Sequence, residues 1–385
     1  MKKLVTIIGA RPQIIKAAAL NRAIQSKFQG QLTEVLVHTG QHYDHGMSDV
    51  FFEEMGIPKA DYNLGIGSGS HGAQTGKMLD AIESVINDEK PDALVIYGDT
   101  NSTLAGALAA AKIHVPVIHI EAGLRSFNKR MPEEVNRITA DHTSTLLYSP
   151  TKAGLKSLAA EGFKSLDEAK QVGKADIDNP YVFHCGDLMY DNTLHYSEIA
   201  ESKVQLFSEN EIKKDNYILA TIHRPQNTDD PETLIGILNA LNEISLQGNL
   251  QVVLPLHPRT KHAISTLEDP RLDAMNASGD FKIIDPVGFL EMVLLEKHSS
   301  IVMTDSGGVQ KEAFFVQKPC VILRPETEWV EIVESGCAIL AGSDPQQIKA
   351  GFNHFKDNPP SDYPPIFGDG KAAEFICDSI IEHLP

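Results

Sequence analysis

Two acids stand where apolar runs of this sequence end. Asp99 closes ALVIYGD (93–99), and Glu121 closes the apolar part of VPVIHIEAG (115–123). Desolvation or a charged neighbour can tune a carboxyl at such a place toward general acid or base chemistry. An unpartnered carboxylate on a buried strand is costly, so both positions read as functional. Glu133, in MPEEVNR, is evenly balanced. An acid in a first helical turn suits the helix dipole, and Glu133 can pair with Arg137 four residues on, as readily as it can serve catalysis.

Other segments suit anions. The first apolar run ends in Gly9-Ala10-Arg11-Pro12-Gln13 and continues as Ile14-Ile15-Lys16. A glycine turn into a helix exposes backbone amides, and Arg11 can fork onto a phosphate or carboxylate. The alternative is that Arg11 and Lys16 are solvated surface cations. The pattern is not GxGxxG and does not read as a dinucleotide loop. A stronger signal is SIVMTDSGGVQKEA (300–313), where a strand breaks at Asp305-Ser306-Gly307-Gly308 into a helix. Small residues there let a ligand approach the backbone at a helix N-terminus. Glu312, one turn inside, is placed to accept from vicinal ribose hydroxyls while phosphates lie at the glycines. An ordinary N-cap at Asp305 or Ser306 would explain the serine, but not the double glycine followed by an acid.

His223, in ATIHRPQN, also ends an apolar run and precedes Arg224. An imidazole there can hydrogen-bond a phosphate or shuttle a proton. His257, in LPLHPR, is a weaker copy of the same arrangement. His38, His42 and His45 lack a carboxylate or cysteine partner at metal spacing, so no metal is expected. Cys185, Cys320, Cys337 and Cys377 form no CxxC pair, and neither a zinc knuckle nor a disulfide framework is indicated.

These residues need strands to carry them. In the first half the apolar runs fall at 4–9, 34–40, 93–99, 115–123 and 145–150, with helical patterns at 71–88 and 101–113 between them. A second series falls at 217–223, 251–257, 281–285, 300–308 and 319–325. Nearly continuous apolar strands alternating with amphipathic helices mean βαβ units and doubly wound parallel sheets. Ligands of open α/β sheets bind outside the carboxyl ends of the strands, where every residue above falls. Two such domains facing each other would make a cleft lined by these loops. The stretch 161–180 reads as an exposed excursion near the domain junction, and the last helical pattern, 370–383, could cap either half.

A length of 385 residues suits two domains. Lys+Arg 34 against Asp+Glu 52 leave a formal charge of −18, which argues against nucleic acid or an anionic membrane as partner. With no apolar run long enough for a membrane span and no signal-peptide core after MKKLVTIIGA, the cytoplasm is the expected address.

Taken in order along the whole chain, GARPQIIK, YGDTNSTLAGALAA, HIEAGLRSFN, PEEVNR, TIHRPQN, LPLHPR and TDSGGVQKEA resemble the non-hydrolysing UDP-N-acetylglucosamine 2-epimerase family. The resemblance implies a GT-B fold of two Rossmann-like domains, 1–180 and 181–365, with a C-terminal helix in 366–385 returning to the first. It implies a dimer acting on a UDP-sugar without metal or nicotinamide, by anti elimination of UDP to a glycal and re-addition to the other face. Asp99, Glu121 and Glu133 match the family's acid/base residues, and His223 its phosphate-side histidine. Arg11, Lys16, Ser306, Gly307, Gly308 and Glu312 match UDP contacts. Met292 takes a place near the uracil that is often aromatic in the family.

Three departures stand out. The usual opening GTRPE is GARPQ, so Gln13 replaces an acid. The ERPE segment is Glu328-Trp329-Val330-Glu331, putting the only tryptophan where an arginine would contact substrate. The QHR-type segment tied to allosteric activation is the longer Gln41-His42-Tyr43-Asp44-His45. These resemble the subgroup acting on UDP-2,3-diacetamido-2,3-dideoxy-glucuronate, an O-antigen precursor, and Lys129 or Arg130 could supply a cation for the uronate. A lone tryptophan is also commonly a core residue. A GT-B glycosyltransferase and a sugar-nucleotide sensor share the fold, and fold alone does not separate them. The acids Asp99 and Glu121 favour the epimerase, since inversion must handle a carbon-bound proton.

Overall fold

The computed structural model describes residues 1–40, 56, 59–164, 173–203, 205–267, 269, 272, 275 and 279–384. It divides into two compact units, Met1–Asn192 with Pro365–Pro385, and Thr193–Pro364.

The first unit runs β1 (Lys2–Ile8), α1 (Arg11–Lys27), β2 (Leu32–His38), β3 (Tyr62–Asn63), α2 (His71–Glu89) and β4 (Ala93–Tyr97). It continues with α3 (Asn101–Lys112), β5 (Val117–Ile120), α4 (Pro132–His142), β6 (Leu146–Ser149), α5 (Lys152–Ala160) and β7 (Tyr181–His184). Its seven strands are all parallel, in the order β3-β2-β1-β4-β5-β6-β7. The boundary expected at 180/181 falls short of the observed one. The YVFH run of β7 completes the hydrogen bonds of β6, from Leu146 opposite Tyr181 to Ser149 opposite His184, so the unit continues past Pro180.

The helix α6 (Leu188–Lys203) carries the chain out of this unit. Then follow α7 (Leu206–Glu209), β8 (Tyr217–Thr221), α8 (Pro225–Thr228), α9 (Pro231–Gly248), β9 (Gln251–Pro255) and α10 (Pro258–Ser265). The second unit closes with β10 (Phe281–Ile284), α11 (Phe289–His298), β11 (Ile301–Thr304), α12 (Gly307–Phe315), β12 (Cys320–Ile322), α13 (Val330–Glu334), β13 (Ala338–Leu340) and α14 (Pro345–Asp357). Its six parallel strands lie in the order β10-β9-β8-β11-β12-β13. The last helix, α15 (Ala372–His383), belongs to the first unit, where Asp191 accepts from the amides of Ala372 and Ala373.

The six strands of the second sheet thus repeat the order of the first six of the first sheet, with β1 and β4, or β8 and β11, flanking the point where it reverses. Such switch points open the crevices that bind ligands. The cores follow from the sequence pattern. In α2 the buried Met78, Ile82, Val85 and Ile86 recur at helical spacing and share one core with Val5, Leu94 and Ile96 of the first sheet. In the second unit Leu234, Leu238 and Leu241 of α9 and Ile348 and Phe352 of α14 cover Ile218, Val252 and Met303. Each fully buried aliphatic chain contributes about 1.5–3 kcal/mol, which holds the strand ends rigidly enough to position chemistry.

Candidate active site

In the first unit the loops after β1, β4 and β5 and the start of α4 supply the candidates. The β1 loop turns at Gly9, where a Cβ would overlap the hydroxyls of Ser102 and Thr39, themselves hydrogen-bonded at 2.8 Å. Gln13 then ties the loop down. Its side-chain oxygen accepts from the amides of Gly9 (2.8 Å) and Ala10 (3.1 Å). Its amide nitrogen lies 2.8 Å from the Tyr97 carbonyl and 3.0 Å from the hydroxyls of Thr100 and Thr103. Gln13 therefore joins the loop after β1 to that after β4, using the donor and the acceptor of its amide together.

Lys16 is 8 % exposed and forms an ion pair with Glu121. It is thus not the solvated cation that the sequence left open. Arg11, by contrast, is exposed. Asp99 is paired with Arg137 of α4 at 2.5 Å, and Arg137 reaches Glu134 at 3.0 Å. Burial pushes the Asp99 carboxyl above its ordinary range; Arg137 opposes this, while the neighbouring Glu121 carboxylate adds to it. Asp99 and Glu121, just past the ends of the adjacent strands β4 and β5, are therefore neighbouring acids, each with its own cation. Gly98 between them is at φ 60°, and a Cβ there would come within 3.0 Å of a Glu121 carboxylate oxygen.

Glu133 is exposed, and the Arg137 partner offered to it belongs to Glu134 instead. Helix geometry decides this, since Glu134 faces inward with 1 % exposure. Burial alone would raise the Glu134 pKa, but the amides of Ser126 and Phe127, both at 2.9 Å, and Arg137 hold it below the ordinary range. Glu134 thereby secures the Ser126–Phe127 backbone. Lys129 and Arg130, the cations suggested for a uronate, are exposed. Lys129 lines a pocket with Arg125, Phe127, Glu134, Ile138, His142 and Glu161.

Sequence reasoning passed over His119. It lies within β5, two residues before Glu121, and is fully buried. Its Nε2 is 2.9 Å from the Gly98 carbonyl and its Nδ1 2.7 Å from Asp141. A carbonyl only accepts, so Nε2 donates and pins the turn that carries Asp99. Arg125 holds the far oxygen of Asp141 at 2.7 Å. The missed signal is a lone histidine inside an otherwise apolar strand, which needs buried partners.

In the second unit Ser306 is the N-cap of α12, accepting from Val309 N, and Asp305 has another task. Wholly buried, Asp305 accepts at 3.0 Å from the amides of His223 and Arg224 and from the Asn227 side chain, joining the loop after β11 to that after β8. The Nδ1 of His223 lies 3.2 Å from the same carboxylate, and its ring packs 5.1 Å from that of His257. Burial holds the His223 imidazole below its ordinary pKa; Asp305 opposes, and His257, Arg224 and Arg259 add to the lowering. The nearby Asp305 carboxylate favours the proton on Nδ1, which leaves Nε2 of the neutral ring as an acceptor.

Around the α12 N-terminus, Gly308 is exposed and Glu312 half-buried. A Cβ on Gly308 would lie 3.9 Å from both a Glu312 carboxylate oxygen and the Ser306 hydroxyl, so the three line one small space. Trp329 is 7 % exposed, but it sits under this loop: its indole N–H donates to the Gly307 carbonyl at 3.0 Å, with Lys311 Nζ 4.1 Å above its ring. Met292, on α11, is half-buried. Among the described residues no group of three or more His, Cys, Asp or Glu could hold a metal ion, and no helix is long and apolar enough to cross a membrane. Residues 41–45, with His42 and His45, lie outside the described residues.

A pair of doubly wound sheets, one bearing paired carboxylates and the other a glycine loop at a helix start, defines an α/β enzyme acting on a nucleotide-linked substrate. The profile of the UDP-N-acetylglucosamine 2-epimerase family matches residues 25–381, and the chain belongs to that family of nucleotide-sugar isomerases. A UDP-2,3-diacetamido-2,3-dideoxy-D-glucuronate 2-epimerase of Pseudomonas aeruginosa is 48% identical over 376 residues, covering 98% of each chain. The crystal structure of the Methanocaldococcus jannaschii UDP-GlcNAc 2-epimerase in complex with UDP-GlcNAc and UDP superposes with a TM-score of 0.80 at 40% identity, covering 98% of this chain and 99% of that one. The Neisseria meningitidis UDP-GlcNAc 2-epimerase bound to UDP-GlcNAc gives 0.81 at 28% identity, with the same coverage. The fold is accordingly of the GT-B type found in these epimerases.

Proposed function

We propose that the protein interconverts UDP-GlcNAc and UDP-ManNAc by anti elimination of UDP and re-addition. The observation that carries this reading is the pairing of Asp99 and Glu121 on adjacent strand ends, each with its own cation. Inversion at C2 needs a group that takes the proton from one face and one that returns it to the other. As the C2–H bond breaks, its electron pair becomes the C1–C2 double bond of the glycal. The C1–O bond breaks in the same step, with its electrons on the departing UDP. Re-addition of UDP at C1 and delivery of a proton to the opposite face of C2 complete the inversion. Asp99, Glu121 and Glu133 are the acids assigned to the proton, with Asp99 supported by its raised pKa. The amides of Gly307 and Gly308, the Ser306 hydroxyl, His223, Arg11 and Lys16 are assigned to the UDP charge, Glu312 to the ribose and Met292 to the uracil. We further assign the enzyme to the cytoplasm, as a homodimer supplying precursors of surface polysaccharide.

Proton NMR of the enzyme with UDP-GlcNAc in D₂O tests the reading. Deuterium entering at C2 while UDP-ManNAc grows in is the expected result. Absence of exchange, in an enzyme that binds UDP, would overturn the UDP-GlcNAc assignment. A second reading takes UDP-2,3-diacetamido-2,3-dideoxy-glucuronate as substrate. It is favoured by the 48% identity to the Pseudomonas aeruginosa enzyme and by Gln13 and Trp329 at the departing positions. Exchange with that sugar alone would select it.

A further inference from the structure

Behind Glu312 lies an acid that the reaction does not use. Glu296, on α11, is 0 % exposed, and neither of its carboxyl oxygens has a hydrogen-bond donor among the described residues. Its carboxyl meets that of Glu312 on α12. Two ionised carboxylates cannot share a hydrogen bond, and an ionised one is very costly in full burial. The pair is stable with one proton, held by the member that solvent does not reach. Glu296 is wholly buried and Glu312 half-buried, so the proton resides on Glu296 and the charge on Glu312.

We propose that Glu296 is a positioning residue for nucleotide recognition: as a neutral acid it donates its hydrogen to one Glu312 oxygen and turns the other toward the ribose hydroxyls. This rests on the reading of Glu312 as the ribose acceptor. The geometry fits, because a Glu312 oxygen and the Ser306 hydroxyl each lie 3.9 Å from where a Cβ on Gly308 would stand, at the start of α12. Also near Glu296 are the Tyr217 phenol at the start of β8 and the Cys320 thiol at the start of β12. Burial pushes both upward, and the Tyr217 hydroxyl is committed to the Leu295 carbonyl, so neither competes for Glu312. Burial first, and then the Glu312 carboxylate, push the Glu296 carboxyl upward. A rise in pH strips the shared proton, and two repelling carboxylates then stand where one ordered acceptor stood.

The test is calorimetric binding of UDP and 2′-deoxy-UDP to the full chain and to its Glu296→Gln, Glu296→Leu and Glu312→Ala variants. Glu296→Gln, whose amide donates the same hydrogen, keeps UDP affinity within about twofold, whereas Glu296→Leu loses about tenfold and with it the preference for UDP over the 2′-deoxy analogue. As the pH is raised the wild type loses affinity for UDP more steeply than Glu296→Gln. A Glu296→Leu protein with wild-type preference overturns the proposal, as do identical pH profiles for wild type and Glu296→Gln. A wild type that does not bind UDP, or a Glu312→Ala variant that binds it unchanged, defeats the ribose reading and this proposal with it. That pattern is read without any Glu296 variant, so the two failures are distinguishable.

Discussion

Lys16, in the second turn of α1, is ion-paired with Glu121, and Glu121 holds a backbone φ of 72°. A non-glycine residue at positive φ costs about 1–3 kcal/mol and persists where its surroundings fix it. The ion pair, 11 % and 14 % exposed at its two side chains, is part of what fixes it. Breaking such a pair from one side leaves an uncompensated charge, whereas removing both charges is far milder. Lys16→Met should therefore lower the melting temperature more than Lys16→Met combined with Glu121→Gln. Shifts of the two single variants that simply add in the double variant would show that the pair is not coupled. Glu121→Gln alone should cut turnover by about 10²–10⁴ with UDP affinity largely intact.

Asp99→Asn should cut turnover by a similar factor of about 10²–10⁴. The raised pKa gives it a second signature. Stability linked to a raised carboxyl is complete below the ordinary value of about 3.9 and is lost as pH rises through the folded value. Asp99→Asn should therefore be more stable relative to wild type at neutral pH than at about pH 4. Melting curves at both pH values check the sign, and a difference that grows toward acid would contradict the direction assigned to Asp99.

Gln13→Glu puts a carboxylate against the Tyr97 carbonyl, which the present amide nitrogen approaches at 2.8 Å. Two acceptors then face each other in a buried place, at a cost of about 1–3 kcal/mol. Protonation of the new acid restores a donor. The variant should thus melt lower than wild type at neutral pH and recover part of the loss on mild acidification. A pH-independent loss would count against this account.

His223, held neutral by burial and with its proton drawn to Nδ1 by Asp305, offers an acceptor at Nε2 to an arriving diphosphate. Binding should then be accompanied by proton uptake at Nε2 near neutral pH. Calorimetric titration of UDP in buffers of different ionisation enthalpy measures the uptake. Wild type should take up a fraction of a proton that His223→Asn does not; equal uptake by both proteins would remove His223 from the coupling.

Trp329 is the only tryptophan and its indole N–H bonds the Gly307 carbonyl. Its fluorescence should change on addition of UDP and saturate with the calorimetric affinity. Trp329→Phe removes the hydrogen bond but keeps most of the packing, and should weaken UDP binding by about fivefold to tenfold. Unchanged fluorescence together with unchanged affinity in Trp329→Phe would separate this residue from the nucleotide.

The strands were readable because each is a nearly continuous apolar run, and the loops that follow them carry the chemistry-bearing residues. The pieces overlooked are short or hidden by context: β3 has two residues, β13 has three, and β7 follows directly on Pro180. Which of the neighbouring acids Glu133 and Glu134 faces inward was not legible either, because adjacent first-turn acids look equivalent until the helix is docked on its sheet.

The sequence by itself determined two parallel α/β units, the family, and the strand-end positions of Asp99, Glu121, His223 and the Ser306–Gly308 loop. Alternation of apolar runs and helices, glycines and caps are local patterns, and local patterns are legible one residue at a time. Partnership was decided only by the tertiary structure. That Lys16 meets Glu121 across 105 residues, that Asp305 clamps the His223 loop across 82, and that Trp329 lies under Gly307 depend on which helix packs on which strand. Charges, hydrogen bonds and burial act through space, and a chain read in order does not contain those distances.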